Sequence, residues 1–202
     1  VVLSRGGSVS VGYGERAEAL RPPPPRLAEA RERIARAAAA EVPRDGVILL
    51  DSGPEAEMLA SLLPAAPGLT VVTNSVTAAL RLSPRADLGV HLLGGRVRGL
   101  PATVAHVHLL EQLHVDVAFL TTGGVSLDRG LTCQDPAEVM ARRAMVRASR
   151  RVVLLADRAR IGDDQLARFA VVSEVDHLIT EAGPDTRELN RLRGRGPSVL
   201  EV

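Results

Sequence analysis

Five apolar runs in this chain each end on small polar residues or glycine. Val47 to Leu50 runs into Asp51-Ser52-Gly53, Thr70 to Val72 into Thr73-Asn74-Ser75, and Leu88 to Leu93 into Gly94-Gly95. Val117 to Leu120 runs into Thr121-Thr122-Gly123-Gly124, and Val152 to Leu155 into Ala156-Asp157. The runs lack clean two-residue alternation, which predicts strands buried on both faces. Between them the period changes. Leu27, Ala30, Ile34, Ala37, Ala38 and Val42 recur at three- and four-residue steps and predict a helix that Pro43-Arg44-Asp45-Gly46 closes. Further helices are predicted at Pro54 to Leu63, Val76 to Leu82, Ala102 to Leu113, Pro136 to Ser149 and Asp185 to Leu192. The Pro136 helix has the fullest start signal, with Asp135 as cap, Pro136 at the first helical position and Glu138 completing a capping box. Additional strands are predicted at Phe169 to Val172, His177 to Thr180 and Ser198 to Val202.

Strand and helix alternating in this way predict an α/β fold, an open and mostly parallel sheet with helices on both faces. Ligands of such sheets sit in the crevice beyond the carboxyl ends of the strands, so the five polar tips are the candidate small-molecule site. Residues 1 to 26 differ in kind: Arg5-Gly6-Gly7-Ser8 is glycine-rich and Pro22 to Pro25 form a stiff, extended connector. Residues 27–202 are therefore read as one α/β domain, in keeping with a prior of roughly 100 to 200 residues per domain.

Composition narrows the function classes. The chain is 46% hydrophobic and 24% charged, which suits a soluble globular domain, and its aromatics are confined to Tyr13, Phe119 and Phe169. Base-stacking platforms of the kind that single-strand binders use have little material here. The 25 basic residues are all arginine and nearly cancel 24 acidic ones, leaving a net charge of +1. That balance argues against a nucleic-acid surface on these residues. Cys133 is alone, so an internal disulfide is excluded and a reducing cytoplasm fits. No apolar stretch reaches the roughly 20 residues of a membrane span. The histidines, 91, 106, 108, 114 and 177, show no metal-ligand spacing with acidic partners. No Gly-x-Ser-x-Gly elbow marks a nucleophilic hydrolase. Neither a metal nor another cofactor is expected.

The tips themselves carry the candidate chemistry. Asp51-Ser52-Gly53 closes a strand and opens a helix, where free N–H groups and the helix dipole favour an anion; a plain helix cap is the competing reading. Thr73-Asn74-Ser75 repeats the arrangement at the next strand. Gly94 and Gly95 fit either a ligand approach or a tight turn. Thr122, beside Gly123 and Gly124, supplies a hydroxyl without bulk. Asp157 and Arg160 set a carboxylate and a guanidinium at a further strand end, where a solvated loop pair is the alternative.

In order, Arg5-Gly6-Gly7-Ser8, Asp45 to Gly53, Val71 to Ser75, Leu92 to Gly95, Asp116 to Leu120, Gly130-Leu131-Thr132, Leu154 to Asp157 and Leu178 to Thr180 resemble the DeoR family of bacterial transcriptional regulators. The resemblance implies a sensor domain with a fold related to ribose-5-phosphate isomerase, glucosamine-6-phosphate deaminase and the CoA-transferases. It implies a sugar or sugar phosphate as effector, a homo-oligomer, and operator DNA as a partner only through an N-terminal winged helix-turn-helix missing from these residues. Residues 1 to 26 would then be the end of the DNA-binding wing and its Pro-rich linker.

Several positions depart from the family pattern. Pro54-Glu55 stands where the family commonly has two threonines, Thr121 and Gly123 replace a common Gly and Asn, and Ala105-His106 replaces Gly-Pro. The stretch after Gly95 is a few residues short, and Arg160 takes the position of a frequent lysine. Pro54 removes a backbone donor and Glu55 adds a negative charge in the first helical turn. At ~5 Å and an effective dielectric of 20, its repulsion of a bound phosphate would be about 3 kcal/mol per unit charge. Two other classes compete with the sensor. A sugar-phosphate isomerase or deaminase would use Asp51, Glu55 or Asp157 as base but has no lysine for Schiff-base chemistry. A ligand-free dimerisation module would record the departures as loss of sensing.

Overall fold

The computed structural model describes residues 2–3, 9–10, 24–97, 103–105, 107–183 and 187–202. Strands β1 (Val2–Leu3) and β2 (Val9–Ser10) pair antiparallel; the rest of the expected wing remnant and connector, up to residue 23, lies outside the described residues. Helix α1 (Pro25–Ala39) leads into β3 (Gly46–Leu50), α2 (Pro54–Leu62), β4 (Leu69–Thr73), α3 (Val76–Leu82) and β5 (Gly89–Leu92). A hairpin of β6 (Gly95–Val97) and β7 (Thr103–Ala105), then the single turn α4 (Val107–Leu110), precede the long strand β8 (Val115–Thr121). After β9 (Gly124–Ser126) and β10 (Gly130–Cys133) come α5 (Val139–Ala148), β11 (Ser149–Leu155), β12 (Ala167–Ala170), β13 (His177–Thr180), α6 (Arg187–Arg195) and β14 (Ser198–Glu201).

Seven strands form one sheet in the order β14-β13-β11-β8-β3-β4-β5, and every pair is parallel. The chain starts in the middle at β3, steps outward through β4 and β5, then returns to the other side of β3 and proceeds through β8, β11, β13 and β14. Strand order therefore reverses between β3 and β8, where a crevice opens beyond the strand ends.

Each face of the sheet has its own core. On one, Ile48, Leu50, Val71, Phe119 and Leu155 meet Ile34 and Ala38 of α1, Leu59 of α2 and Leu82 of α3. On the other, Leu49, Val72, Leu120, Val152 and Leu178 meet Met145 of α5 and Leu189 and Leu192 of α6. Adjacent strand residues alternate between the two clusters, and both faces are apolar. That is why the runs read as continuous rather than alternating. The strand starts are fixed by carboxylates: Asp116 accepts from the Val47 N–H at 2.9 Å and Asp176 from the Val152 N–H at 2.8 Å. Gly46, with φ of 97°, has Asp116 where a Cβ would stand, so both backbone and space require glycine there.

Three expectations are corrected. The helix predicted over Ala102 to Leu113 is β7 followed by the one turn of α4; residues 101, 102 and 106 lie outside the described residues. The Pro136 helix begins as a single 3-10 turn, Pro136–Glu138, before α5; Asp135 caps it from Ala137 at 2.9 Å, while Glu138 is held by Arg142 Nε at 3.1 Å. The strand placed at Phe169 to Val172 is β12, two residues earlier, and it joins a small antiparallel sheet, β12-β10-β9. Among the described residues, no helix is long and apolar enough to cross a membrane.

Candidate functional site

At the β3–β8 reversal, Asp51 is fully buried one residue beyond β3. Its Oδ1 accepts the Ser52 N–H at 2.8 Å. Its Oδ2 accepts the Thr121 N–H at 3.1 Å, the Thr121 hydroxyl at 2.8 Å and Arg142 Nη1 at 2.9 Å. Arg142 arrives from the first turn of α5, lies 5.4 Å from the Phe169 ring centre and donates also to the Thr121 carbonyl at 2.7 Å. Burial works against the Arg142 charge, yet Asp51 and Glu138 together hold it above its ordinary value. The tips of the two neighbouring strands are thus tied together over a satisfied ion pair.

Over this bridge lies a cleft of about 200 Å³. One wall is the start of α2, Gly53 to Glu55, with Arg31 of α1 beside it; the opposite wall is Cys133, Gln134 and Glu138 with Arg142. The floor and rim come from Thr121 to Gly123 after β8 and from Leu155 to Asp157 with Arg160 after β11. Gly53 allows close packing, but the partner is internal: the Thr121 side chain fills the place a Cβ would occupy. Glu55 is 4% exposed and receives Arg31 Nε at 3.2 Å. Burial pushes its carboxyl above the ordinary 4.5, against its own backbone N–H and Arg31; Asp157 adds to the rise and Arg160 opposes it.

Asp157 is 4% exposed, and its Oδ1 has no hydrogen-bond partner among the described residues. Arg160 Nε stands 3.8 Å from its Oδ2, and Arg160 Nη1 donates to the Gly123 carbonyl at 3.2 Å. Thr122 turns its hydroxyl away to the carbonyls of Gly124 and Thr132, at 2.7 and 3.0 Å. Burial also raises the Cys133 thiol, partly offset by Arg142.

Of the sequence-predicted residues, Gly53, Thr122, Gly123, Asp157 and Arg160 line the cleft and Asp51 lies beneath it. The others sit elsewhere. Ser52 accepts from Asn74 Nδ2 at 3.3 Å, which ties two strand tips together beside the cleft. Thr73 donates to the Leu50 carbonyl at 2.8 Å and accepts the Ser75 N–H at 3.0 Å. Ser75 caps α3 through Ala78 at 3.0 Å and donates to Glu57 at 2.8 Å, the plain cap reading. Gly94 and Gly95 follow β5, the far edge strand, and Gly124 lies in β9, where Asp163 occupies its Cβ space. Thr121, part of the predicted β8 tip, also lines the cleft, and Arg31, Gln134, Glu138 and Arg142 join it without having been predicted as ligand contacts. Only Glu138 and Arg142, four apart, left a local trace as a helical ion pair.

Residues 27–182 match the family model described as DeoR C terminal sensor domain. The glycerol-3-phosphate regulon repressor of Escherichia coli (strain K12) is 30% identical over 159 residues, which cover 77% of this chain and 63% of that protein. The chain thus spans less than two thirds of that relative's length. The HTH-type transcriptional repressor GlcR of Bacillus subtilis is 26% identical over 99% of this chain and 78% of its own. The HTH-type transcriptional regulator GlpR of Haloferax volcanii is 28% identical over 98% and 78%. Among solved structures, ribose 5-phosphate isomerase A of Methanocaldococcus jannaschii superposes with a TM-score of 0.48 and 16% identity, over 66% of this chain and 54% of that one. The eIF2B beta subunit of Chaetomium thermophilum gives 0.49 and 15%, over 70% and 42%.

Proposed function

Since the chain belongs to the DeoR family, as a C-terminal sensor domain, we propose that the cleft at the β3–β8 reversal binds a small carbohydrate effector. Binding there changes how a linked helix-turn-helix segment meets operator DNA. The observation that carries this reading is the cleft itself: three strand ends and three helices converge on it with arginines and carboxylates at its walls. A ligand that bridges α2, the β8 tip and the β11 tip favours one relative placement of these elements, and any arrangement of domains or copies that depends on that placement shifts with it. The net charge of +1 supports a domain that senses rather than one that neutralises DNA phosphates. The relatives named above are regulators of transcription, and this favours a sensor over an isomerase.

The test is thermal unfolding of the purified domain against a panel of sugars and sugar phosphates. A bound effector at a hundred times its Kd stabilises by about 2.7 kcal/mol, which a melting curve resolves readily. An unchanged melting temperature across the whole panel would refute sensing at this cleft. Turnover of ribose 5-phosphate, abolished in Asp51→Asn, would replace the sensor by an enzyme.

A further inference from the structure

The start of α2 offers an anion little. Pro54 has no N–H, the Ser52 N–H before it already serves Asp51 at 2.8 Å, and the Glu57 N–H is bonded to the Gly53 carbonyl at 2.9 Å. The cations of the cleft are matched in turn. Arg31 pairs with Glu55, Arg142 with Asp51 at 2.9 Å and Glu138 at 3.1 Å, and Arg160 faces Asp157. Three guanidinium groups and three carboxylates line the space, and a fourth carboxylate, Asp51, underlies it. A phosphate entering here meets more negative than positive charge, and each arginine it could approach already faces a carboxylate.

The unmet need in the cleft is for a donor. Asp157 is buried, and its Oδ1 lacks one among the described residues. Asp157 lines the cleft, and its broad, two-fold last torsion lets either carboxylate oxygen turn toward a ligand there. Hydroxyl groups donate and accept at once, and can serve Asp157 and Arg160 together without adding charge. The space of about 200 Å³ is also below the roughly 300 Å³ at which ligand pockets usually begin, which favours a single small ring or chain over one carrying a phosphate.

Resting on the sensor reading above, we propose that the effector of this cleft is an unphosphorylated sugar or sugar alcohol, held through its hydroxyls by Asp157 and Arg160 and selected against phosphate by Glu55 and Pro54. Calorimetric titration of the full chain with matched pairs tests this: glucose and glucose 6-phosphate, ribose and ribose 5-phosphate, glycerol and glycerol 3-phosphate, with inorganic phosphate alongside. At least one unphosphorylated member is expected to bind tenfold or more tightly than its phosphate ester, and inorganic phosphate is expected to give no heat. Asp157→Asn should weaken that member at least tenfold, and Glu55→Thr should raise affinity for the matching ester. Wild-type protein that binds an ester as tightly as its parent sugar overturns the proposal and leaves the sensor reading standing. Binding of neither member of any pair overturns both. The wild-type comparison alone decides the matter should either variant fail to fold.

Discussion

Asp51→Asn is the sharpest perturbation of the site's foundation. The carboxylate is fully buried, and its Oδ2 receives three donors, from the Thr121 N–H, the Thr121 hydroxyl and Arg142. An amide in its place must either turn its own N–H groups toward those three donors or turn them toward the Ser52 N–H. Removing one partner of a buried ion pair costs about 3 to 5 kcal/mol, because the other charge is left uncompensated. Here the lower end applies. Arg142 keeps Glu138, whose side chain is 34% exposed, and its own side chain reaches solvent over 13% of its surface. A loss of about 3 kcal/mol corresponds to roughly 6 to 12 °C in Tm for a domain of this size. Urea unfolding of wild type, Asp51→Asn, Arg142→Met and the double variant measures the pair directly. Each single change is expected to cost about 3 kcal/mol, with a coupling of at least ~1 kcal/mol in the cycle. An Asp51→Asn loss below ~1 kcal/mol, or strictly additive singles, would refute the claim that this pair clamps β3 to β8.

The other predictions concern neighbouring residues. Gly53→Ala places a methyl group into the Thr121 side chain and should cost about 1 to 3 kcal/mol by overpacking; Thr121→Gly has its own cost through the lost hydroxyl on Asp51, so the test is the cycle, in which the double variant should be more stable than the two single losses added together, and strictly additive losses would refute the contact. Thr73→Val removes the partner of both the Leu50 carbonyl and the Ser75 N–H, so chemical denaturation should register a loss of roughly 2 to 3 kcal/mol, while effector affinity measured by calorimetry stays unchanged because Thr73 lies outside the cleft. For Glu55 the sign follows from burial, which raises its carboxyl above 4.5 in the folded chain. The unfolded chain then releases this proton at lower pH than the folded one, and stability falls as pH rises from about 4.5 through the folded value. Relative to wild type, Glu55→Gln should therefore gain urea resistance across that window and hold a constant difference above it; a difference that shrinks as pH rises would show that the carboxyl is not raised.

The sheet was legible because burial on both faces makes each strand a continuous apolar run, and because a buried parallel strand must end where its backbone meets a turn. The hairpin of β9 and β10 was not, since Gly124–Ser126 and Gly130–Cys133 are short and mixed in polarity, and the sheet they share with β12 is set by the chain's return through Ala167–Ala170. Strand tips were likewise visible one by one, but their neighbours were not. Nothing local to Thr73-Asn74-Ser75 or Gly94-Gly95 says that β4 and β5 peel away from β3 on the side opposite the crevice; only the order of the sheet does. The same order brings Arg31 and Arg142 over the tips from helices with no sequence signal of that placement. It also joins residues that read as separate in the sequence. Thr121 fills the space left by Gly53 and donates to Asp51, and Glu55, one turn into the cleft, takes Arg31. With its Cβ space filled and its nearest cation paired, the anion cradle is closed by side chains that satisfy one another. Gly53, Thr121, Asp51, Glu55 and Arg31 therefore form one interlocked cluster, and replacing Glu55 alone would free Arg31 while leaving Thr121 against Gly53.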